Sequence, residues 1–251
     1  MSEPTVAVVL PAAGRGVLFG GPVSKTYAEL CGEPLWRRSL ELFLALPRVT
    51  RAVLVVAAED VKRFETENAG CLSEANAAGD RVRVVAGGQE RVDSVANGLA
   101  ECGAADLIAV HDAARPLAPR ADLAAVFADA ARTGAAVLCS PIASTVKRVR
   151  DGRVVETVPR EELWAAQTPQ VARADLMRRA FAARWDDGRP PATDEAELLE
   201  RAGIPVAVTP GSARNFKITT PADFALAEAL LSAEAESALE SSRPMLEVRR
   251  G

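Results

Sequence analysis

The sequence contains a single histidine, His111, and four cysteines in 251 residues. One imidazole excludes a metal site built from several histidines. The cysteines lie 31 to 40 residues apart without a CxxC pair, so neither a zinc site nor a redox-active pair is indicated. Buried, reduced thiols are the simpler interpretation.

Long hydrophobic runs and an excess of positive charge are also absent. The longest early apolar run, residues 6–10, is too short for a membrane span or a signal-peptide core. We therefore expect a cytoplasmic protein without membrane contact. With 30 basic and 34 acidic residues, the net charge is −4. This balance argues against a nucleic-acid-binding protein, although it is compatible with a local basic pocket.

Aromatic residues make up 4% of the chain against 49% hydrophobic residues in all, so the core must be largely aliphatic. A chain of this length buries enough surface to fold without a disulfide or a metal. Neither a repeat nor a linker divides it. We expect one domain over residues 1–231 and a polar tail over 232–251 that is either frayed helix or disordered.

Short aliphatic runs alternate with longer amphipathic ones in the first half of the chain. This alternation predicts an α/β fold: a mostly parallel, twisted sheet with helices on both faces. One predicted helix lies between Pro34 and Pro47, and another ends at Gly134. The predicted strands are Val6–Leu10, Ala52–Val56, Val82–Val85, Leu107–Val110 and Ala136–Leu138.

The pattern changes after Leu138. Two β-prone runs, Thr145–Val149 and Val154–Val158, are joined by Asp151-Gly152, which is a strong hairpin signal. We therefore expect a protruding β-arm at about residues 141–160. Helical patterns then return at Leu176–Phe181 and Asp194–Ala202, followed by strands at Val206–Thr209 and Phe216–Ile218 and a helix that begins near Thr220.

The loop after the first strand, residues 10–21, is rich in glycine and alanine. Small residues let backbone N–H groups surround a phosphate. A dinucleotide-binding loop is disfavoured because Gly20-Gly21-Pro22 delays the following helix. A Walker loop is disfavoured because Ser24 precedes Lys25. A flexible loop without a ligand is the remaining alternative.

Lysine is scarce, with four residues in the whole chain. Lys25 ends the glycine-rich loop, and Lys217 lies in the last predicted strand. A compact ammonium group suits a site crowded with phosphates. Surface lysines without a role would give the same pattern.

Two further strand ends carry polar residues. Gly87-Gly88 precedes Arg91 and Ser94 and presents the start of a helix to an anion or a base; a tight turn with a solvated arginine is the structural alternative.

The second strand end carries His111, Asp112 and Arg115. Open α/β sheets bind ligands at this carboxyl edge. A carboxylate here suits a Mg²⁺ ion that keeps most of its waters, and an N-cap aspartate is the alternative. We interpret His111 as structural.

Seven motifs occur in order between residues 11 and 219. They are Pro11-Ala12-Ala13-Gly14, Lys25, Gly87-Gly88 with Arg91 and Asp93-Ser94-Val95, His111-Asp112-Ala113-Ala114-Arg115-Pro116, Gln167-Thr168-Pro169-Gln170, Thr193-Asp194-Glu195-Ala196 and Lys217-Ile218-Thr219. Together they resemble the 2-C-methyl-D-erythritol 4-phosphate cytidylyltransferase family of the non-mevalonate isoprenoid pathway. The resemblance covers all but the ends of the chain.

The resemblance implies a Rossmann-like nucleotidyltransferase that transfers CMP from CTP to methylerythritol 4-phosphate, releases diphosphate, uses Mg²⁺ and forms a homodimer through the β-arm. It implies catalytic roles for Lys25, Arg160 and Lys217, and a metal-binding role for Asp112. The implied CTP contacts are Pro11, Ala12, Ala13, Gly14, Arg15, Gly16, Gly87, Gly88, Gln89, Arg91, Ser94 and Ala113. The implied contacts to the polyol phosphate are Asp112, Arg115, Thr145, Thr168 and Thr193, with Thr145, Arg160 and Thr168 expected to come from a second subunit.

One residue departs from the family pattern. Leu18 stands where the family usually has an arginine that steadies the triphosphate, and Arg15 is the nearest arginine on the same loop. Two alternatives therefore stay open beside a dehydrogenase: a cytidylyltransferase for another polyol phosphate such as ribitol 5-phosphate, and a catalytically silent CTP-binding homologue.

Overall fold

The computed structural model describes residues 3–14, 25–77, 79–184 and 190–241. Arg15, Gly16 and Leu18 therefore lie outside the described residues. The strands of the described part are β1 Val6–Pro11, β2 Glu29–Leu30, β3 Glu33–Pro34, β4 Val49–Val56, β5 Val82–Ala86, β6 Leu107–Val110, β7 Ala135–Pro141, β8 Val146–Arg150, β9 Arg153–Val158, β10 Trp164–Arg173 and β11 Ala207–Pro210. The helices are α1 Leu35–Leu44, α2 Val61–Glu67, α3 Ala69–Ala75, α4 Arg91–Ala100, α5 Arg120–Thr133, α6 Ala174–Ala182, α7 Glu195–Arg201 and α8 Pro221–Ser241.

Seven strands form the main sheet in the order β5, β4, β1, β6, β10, β7 and β11. The neighbours β5, β4, β1 and β6 pair in parallel, and so do β7 and β11. Strand β10 is antiparallel to both of its neighbours, β6 and β7. The predicted α/β fold with a mostly parallel sheet is confirmed.

Strand β1 shows how the sheet divides the core. Val6, Val8 and Leu10 point to one face, which helices α1, α2 and α5 cover. Ala7 and Val9 point to the other face, which α4, α6 and α7 cover. Every residue from Val6 to Leu10 is fully buried, as expected for a parallel strand that has helices on both sides.

Strand β10 is not predicted from the sequence, because its central Gln167, Pro169 and Gln170 interrupt the usual apolar pattern of a strand. The ladder with β7 shifts register between Ala166 and Gln170, around the proline. The strand therefore depends on pairing with two distant segments and not on its own residue preferences.

The predicted strand Phe216–Ile218 is wrong, because the structure has irregular backbone there. The Ile218 backbone N–H donates to the Ala114 carbonyl at 2.9 Å. Its side chain is fully buried in a small cluster with Leu35 and Phe224. The apolar residues of this segment anchor it to the domain without forming a ladder.

Strands β8 and β9 form a separate two-stranded antiparallel sheet, the β-arm. Asp151 and Gly152 have φ values of 47° and 73°, which is the positive φ at both central residues that a type I′ hairpin requires. Val149, Val154 and Val155 on this arm are more than half exposed.

The last helix, α8, continues to Ser241, so residues 232–241 are helical. Residues 242–251 of the predicted tail lie outside the described residues, and the single-domain boundary at 231 stays a prediction. No helix in the described part of the chain is long and apolar enough to cross a membrane.

Candidate active site

A cleft of about 850 Å³ opens at the carboxyl ends of β1, β4, β5 and β6. Most of the residues that line it follow directly after these strands, as ligand-binding residues do in open α/β sheets, and Thr26, Ser94 and Lys217 join them from other segments. The lining residues are Pro11, Ala13, Gly14, Thr26, Ala57, Ala58, Glu59, Gly87, Gly88, Gln89, Glu90, Arg91, Ser94, Asp112, Ala114 and Lys217.

The end of β1 forms the first wall of the cleft. Pro11, Ala13 and Gly14 line it, whereas the Ala12 side chain is buried. Ala12 donates its N–H to the Val55 carbonyl at 2.7 Å and accepts from the Thr26 hydroxyl at 3.2 Å. These bonds fix the start of the glycine-rich loop, and Lys25 begins the short 3₁₀ turn that follows the loop.

The turn between β5 and α4 is closely packed. A Cβ atom on Gly87 would lie 2.7 Å from the Ala13 Cβ, and one on Gly88 would lie 2.3 Å from the Asp93 Cβ. The Gly88 N–H donates to the Ser94 hydroxyl at 3.0 Å. Only glycine fits at these two positions, so the backbone of the turn stands against the cleft without side chains to cover it.

Asp112 is surrounded by three cationic side chains. Its carboxylate lies 2.8 Å from Lys217 Nζ, 3.3 Å from an Arg91 guanidinium nitrogen and 3.8 Å from Arg115 Nε. Burial alone raises the pKa of Asp112, but Arg91, Lys217 and Arg115 together hold it well below its ordinary value. The carboxylate is therefore ionised at neutral pH.

Arg91 also contacts a second carboxylate, Glu195 at the start of α7. Two guanidinium nitrogens meet the two Glu195 oxygens at 2.6 and 3.1 Å, a bidentate geometry. The Glu195 side chain is 1% exposed. Burial lowers the pKa of Arg91, but Glu195 and Asp112 outweigh burial and raise it above its ordinary value.

Sequence reasoning missed Glu195 as a functional residue and took only Thr193 from that motif. The start of α7 is attached to β10: Gln170 donates to Asp194 at 2.9 Å and accepts from the Ala196 N–H at 2.6 Å. No local sequence signal marks Glu195, because acidic residues are common in the first turn of a helix and Glu197 lies in the same turn.

The irregular segment between β11 and α8 holds the Arg115 side chain in place. Arg115 donates to the Asn215 carbonyl at 2.6 Å, and the Asn215 amide donates to the Thr168 carbonyl at 2.7 Å. Burial lowers the pKa of Arg115, with Asp112 opposing the shift. Residues from three distant parts of the chain therefore converge on the Asp112 carboxylate.

His111 is fully buried behind this group. Its two ring nitrogens lie 3.0 Å from the Arg115 carbonyl and 3.1 Å from the Thr168 hydroxyl. Burial lowers the pKa of His111 to about 4, so the imidazole is neutral at pH 7.

Known proteins resemble this chain over most of its length. The sequence model of the 2-C-methyl-D-erythritol 4-phosphate cytidylyltransferase (IspD) family matches residues 6–233. The chain belongs to this family. The cytidylyltransferase of Solibacter usitatus is 44% identical over 92% of this chain and 97% of its own length, and that of Rhodopirellula baltica is 42% identical over 91% of this chain and 95% of its own.

A solved structure of the same kind has the same fold. The Thermus thermophilus cytidylyltransferase superposes with a TM-score of 0.71 at 30% identity, over 89% of this chain and 98% of that one. The chain is thus a nucleotidyltransferase that transfers CMP from CTP to 2-C-methyl-D-erythritol 4-phosphate, forming 4-diphosphocytidyl-2-C-methyl-D-erythritol and diphosphate in isoprenoid precursor biosynthesis.

The structure brings many of the expected cytidylyltransferase residues to one cleft. Ala113 differs: its side chain is fully buried, its carbonyl accepts from Ser39, and its neighbour Ala114 lines the cleft. Thr168 also differs from expectation. It accepts a hydrogen bond from the Asp112 N–H of its own chain at 3.0 Å, so its hydroxyl serves this subunit's site, and the expectation that it crosses to a second subunit is wrong.

Four other expected residues, Arg115, Thr145, Arg160 and Thr193, do not line the cleft. Thr145 and Arg160 are exposed at the base of the β-arm, where Arg160 donates to the Ala143 carbonyl. Thr193 is exposed beside α7 and donates from both its N–H and its hydroxyl to Glu197.

One carboxylate at the cleft, that of Asp112, could bind a magnesium ion. The described residues contain no group of three or more His, Cys, Asp or Glu side chains able to hold a metal. Asp112 is an ionised carboxylate that lines the cleft. Mg²⁺ commonly binds one or two carboxylates together with substrate phosphates and waters, so Asp112 fits an ion brought to the cleft by a nucleotide.

Proposed function

We propose that the two sides of the cleft bind the two substrates. The small-residue wall of Pro11, Ala13 and Gly14 and the bare turn of Gly87 and Gly88 face CTP. Asp112, with Arg115 and Thr168 packed against it, forms the side that binds the polyol phosphate. The observation that supports this division most strongly is the Asp112 carboxylate, which contacts Arg91 at the start of α4 beside the turn and Lys217 and Arg115 on the other side.

The reaction joins two anions, so charge is the main physical problem. A phosphate oxygen of methylerythritol phosphate attacks the α-phosphorus of CTP in line; a new P–O bond forms, the bond to the β-phosphate breaks, and diphosphate leaves. The attacking phosphate monoester is already mostly dianionic near neutral pH, so a general base is not required.

Lys217 and Arg91 contribute in different ways. The Lys217 side chain is 38% exposed, so its ammonium group can meet a phosphate that enters the cleft. Arg91 is held on both sides by Glu195 and Asp112, so it presents fixed N–H groups to the nucleotide. Preorganised donors of this kind stabilise transition-state charge without reorganising. Lys25, by family resemblance, supplies a further cation.

Asp112 is the residue we propose for the divalent ion. When bound, Mg²⁺ neutralises the phosphates and makes the phosphorus more electrophilic. The Asp112 carboxylate would hold the ion at one point, and it also contacts Lys217 and Arg115.

We further propose that the enzyme is a homodimer and acts in the cytoplasm. The exposed valines of the β-arm support a partner there, because a two-stranded sheet alone is marginally stable in water. The same contact places Thr145 and Arg160 at the neighbouring subunit. All four cysteines are free, which is typical of a reducing compartment.

Diphosphate release tests the activity. The purified chain is incubated with CTP, Mg²⁺ and methylerythritol 4-phosphate, with ribitol 5-phosphate as alternative acceptor and ATP or GTP as alternative donor. We expect release only with CTP and methylerythritol phosphate, which would also show that Leu18 is compatible with turnover. CTP binding without release on either acceptor would identify a silent homologue instead.

A further inference from the structure

The single imidazole of the chain is hydrogen-bonded at both ring nitrogens. Nε2 of His111 lies 3.0 Å from the Arg115 carbonyl oxygen, and Nδ1 lies 3.1 Å from the Thr168 hydroxyl. The same hydroxyl accepts from the Asp112 N–H at 3.0 Å. One buried ring thus connects three residues that we assign to the polyol phosphate.

These partners determine which nitrogen carries the hydrogen. A carbonyl oxygen only accepts, so Nε2 of His111 must donate to Arg115. Burial keeps the ring neutral, and a neutral imidazole has one N–H. Nδ1 is therefore an acceptor, and the Thr168 hydroxyl donates to it.

The hydrogen-bonding capacity of the Thr168 oxygen follows by counting. A hydroxyl has one hydrogen and two lone pairs. The hydrogen goes to His111, and one lone pair receives the Asp112 N–H. One lone pair is left, so any substrate group that meets this oxygen must be a hydrogen-bond donor.

We propose that His111 is a positioning residue for the acceptor substrate: by accepting the Thr168 hydrogen it keeps that oxygen as an acceptor for an alcohol hydroxyl and excludes phosphate oxygens from the position. The proposal rests on the proposed role of Asp112, Arg115 and Thr168. It assigns the carbon-bound hydroxyls of the polyol to Thr168 and leaves its phosphate to the cationic side chains. The reaction itself passes no proton through His111.

A role in packing alone makes a different prediction. The ring packs edge to face against Phe43 with centroids 4.8 Å apart, and that contact needs a flat ring but no particular tautomer. The two explanations therefore differ in the polarity of the hydrogen bonds and in which substrate is affected by their loss.

Nitrogen NMR reads the tautomer directly, because the protein has one histidine. The untagged full chain is labelled with ¹⁵N-histidine and measured at pH 7. We expect one neutral imidazole with hydrogen on Nε2, and in Thr168→Val a changed Nδ1 shift with Nε2 unaltered. A hydrogen on Nδ1, or a Thr168→Val spectrum without change at Nδ1, would overturn the proposal. This readout is independent of turnover, so it stands apart from a failure of the proposed activity.

Two amide substitutions separate the two hydrogen bonds. An asparagine amide reaches about as far as Nδ1 and a glutamine amide about as far as Nε2, so His111→Asn keeps an acceptor for Thr168 whereas His111→Gln keeps a donor for Arg115. We expect His111→Gln to raise the KM for methylerythritol phosphate about tenfold more than His111→Asn, the scale of one lost hydrogen bond. The KM for CTP should change equally little in both. An equal rise in the two KM values, or a larger effect of His111→Asn, would contradict the proposal.

A double-mutant cycle tests whether His111 acts through Thr168. On a Thr168→Val background, His111→Gln should have no further selective effect on the KM for methylerythritol phosphate. The same effect on both backgrounds would show that His111 acts elsewhere. Melting curves identify any variant that is unfolded; in that case Thr168→Ser, which keeps the hydroxyl, must retain the Nδ1 shift of the unsubstituted protein, and its loss would count against the proposal.

Discussion

Two arginine–glutamate pairs in this enzyme have similar lengths but different surroundings. Arg91 meets Glu195 at 2.6 Å, and the Glu195 side chain is 1% exposed. Arg148 meets Glu156 on the β-arm at 2.7 Å, with the side chains 53% and 49% exposed. The first pair joins residues 104 positions apart, and the second joins residues eight apart. Distance alone therefore says little about what an ion pair contributes.

The β-arm and the group of charged residues around Asp112 form in different ways. The arm forms from neighbouring segments and a turn that their own residues specify. The Asp112 group forms only when distant segments meet, and every charge in it depends on another. Removing one partner should therefore have large effects in the cleft and small ones on the arm.

The largest effect is expected for Glu195→Ala. It removes the bidentate partner of Arg91, whose side chain is 32% exposed and keeps the longer contact to Asp112 at 3.3 Å. We therefore expect a loss of about 3 kcal/mol, the upper range for a hydrogen bond to a charged group. Urea unfolding measures the loss, and Glu156→Ala on the arm is the matched control. Equal losses in the two variants would mean that burial does not distinguish the pairs.

Lys217→Ala should come next. Removing a preorganised donor to transition-state charge lowers kcat by about 10² or more, and the change should leave the fold intact because Lys217 is partly exposed. Lys147→Ala is the comparison on the arm, where the ammonium group donates to Thr157 at 2.7 Å. Steady-state diphosphate release measures both. Near-normal turnover of Lys217→Ala would remove that lysine from the mechanism.

A third difference concerns pH, because the only histidine lies in the buried region. The folded-state pKa of His111 is about 4, below the ordinary value of about 6.5 in the unfolded chain. The unfolded chain therefore takes up a proton first as the pH falls. The contribution of His111 to the free energy of unfolding should be full above about pH 6.5 and should fall as the pH drops toward 4. The loss at pH 5 should be about 2 kcal/mol. Unfolding titrations at pH 7 and pH 5 measure this, and a slope that persists in His111→Asn would assign it to other groups.

The smallest effect is expected at the exposed pair itself. A double-mutant cycle of Arg148→Ala and Glu156→Ala should give a coupling of about 0.2–1 kcal/mol. The coupling should vanish near 1 M salt, where charges are screened within about 3 Å. A coupling energy above this range that does not fall with salt would mean that the exposed arm pair is as strong as the buried pair, which would contradict the comparison.

The sequence predicted what local residues determine. Strands β1, β4, β5, β6 and β7 and the Asp151-Gly152 hairpin were found because aliphatic runs and turn residues specify them. Strand β10 was missed because both of its partners are far away in the chain, and Phe216–Ile218 was misread because its apolar residues anchor a loop. Tertiary contacts override residue preferences at both places.

The site was predicted unevenly for the same reason. Asp112, Arg115 and Lys217 could be named one by one from strand ends and residue scarcity, and the structure brings them together. Glu195 could not, because its importance comes from Arg91, on a different helix. His111 was interpreted as structural because nothing in the sequence required a histidine base, and its partner Thr168 becomes visible only after β10 is placed beside β6.

The residues that line the cleft are spread along most of the chain, which has a consequence for protein synthesis. The walls of the cleft extend from Pro11 to Lys217, and the strand that brings Thr168 to Asp112 pairs with segments made long before it. A ribosome that has completed β1, β4, β5 and β6 has produced most of the nucleotide side but no complete centre. Turnover therefore requires residue 217 to have emerged, so a shorter nascent chain cannot consume CTP.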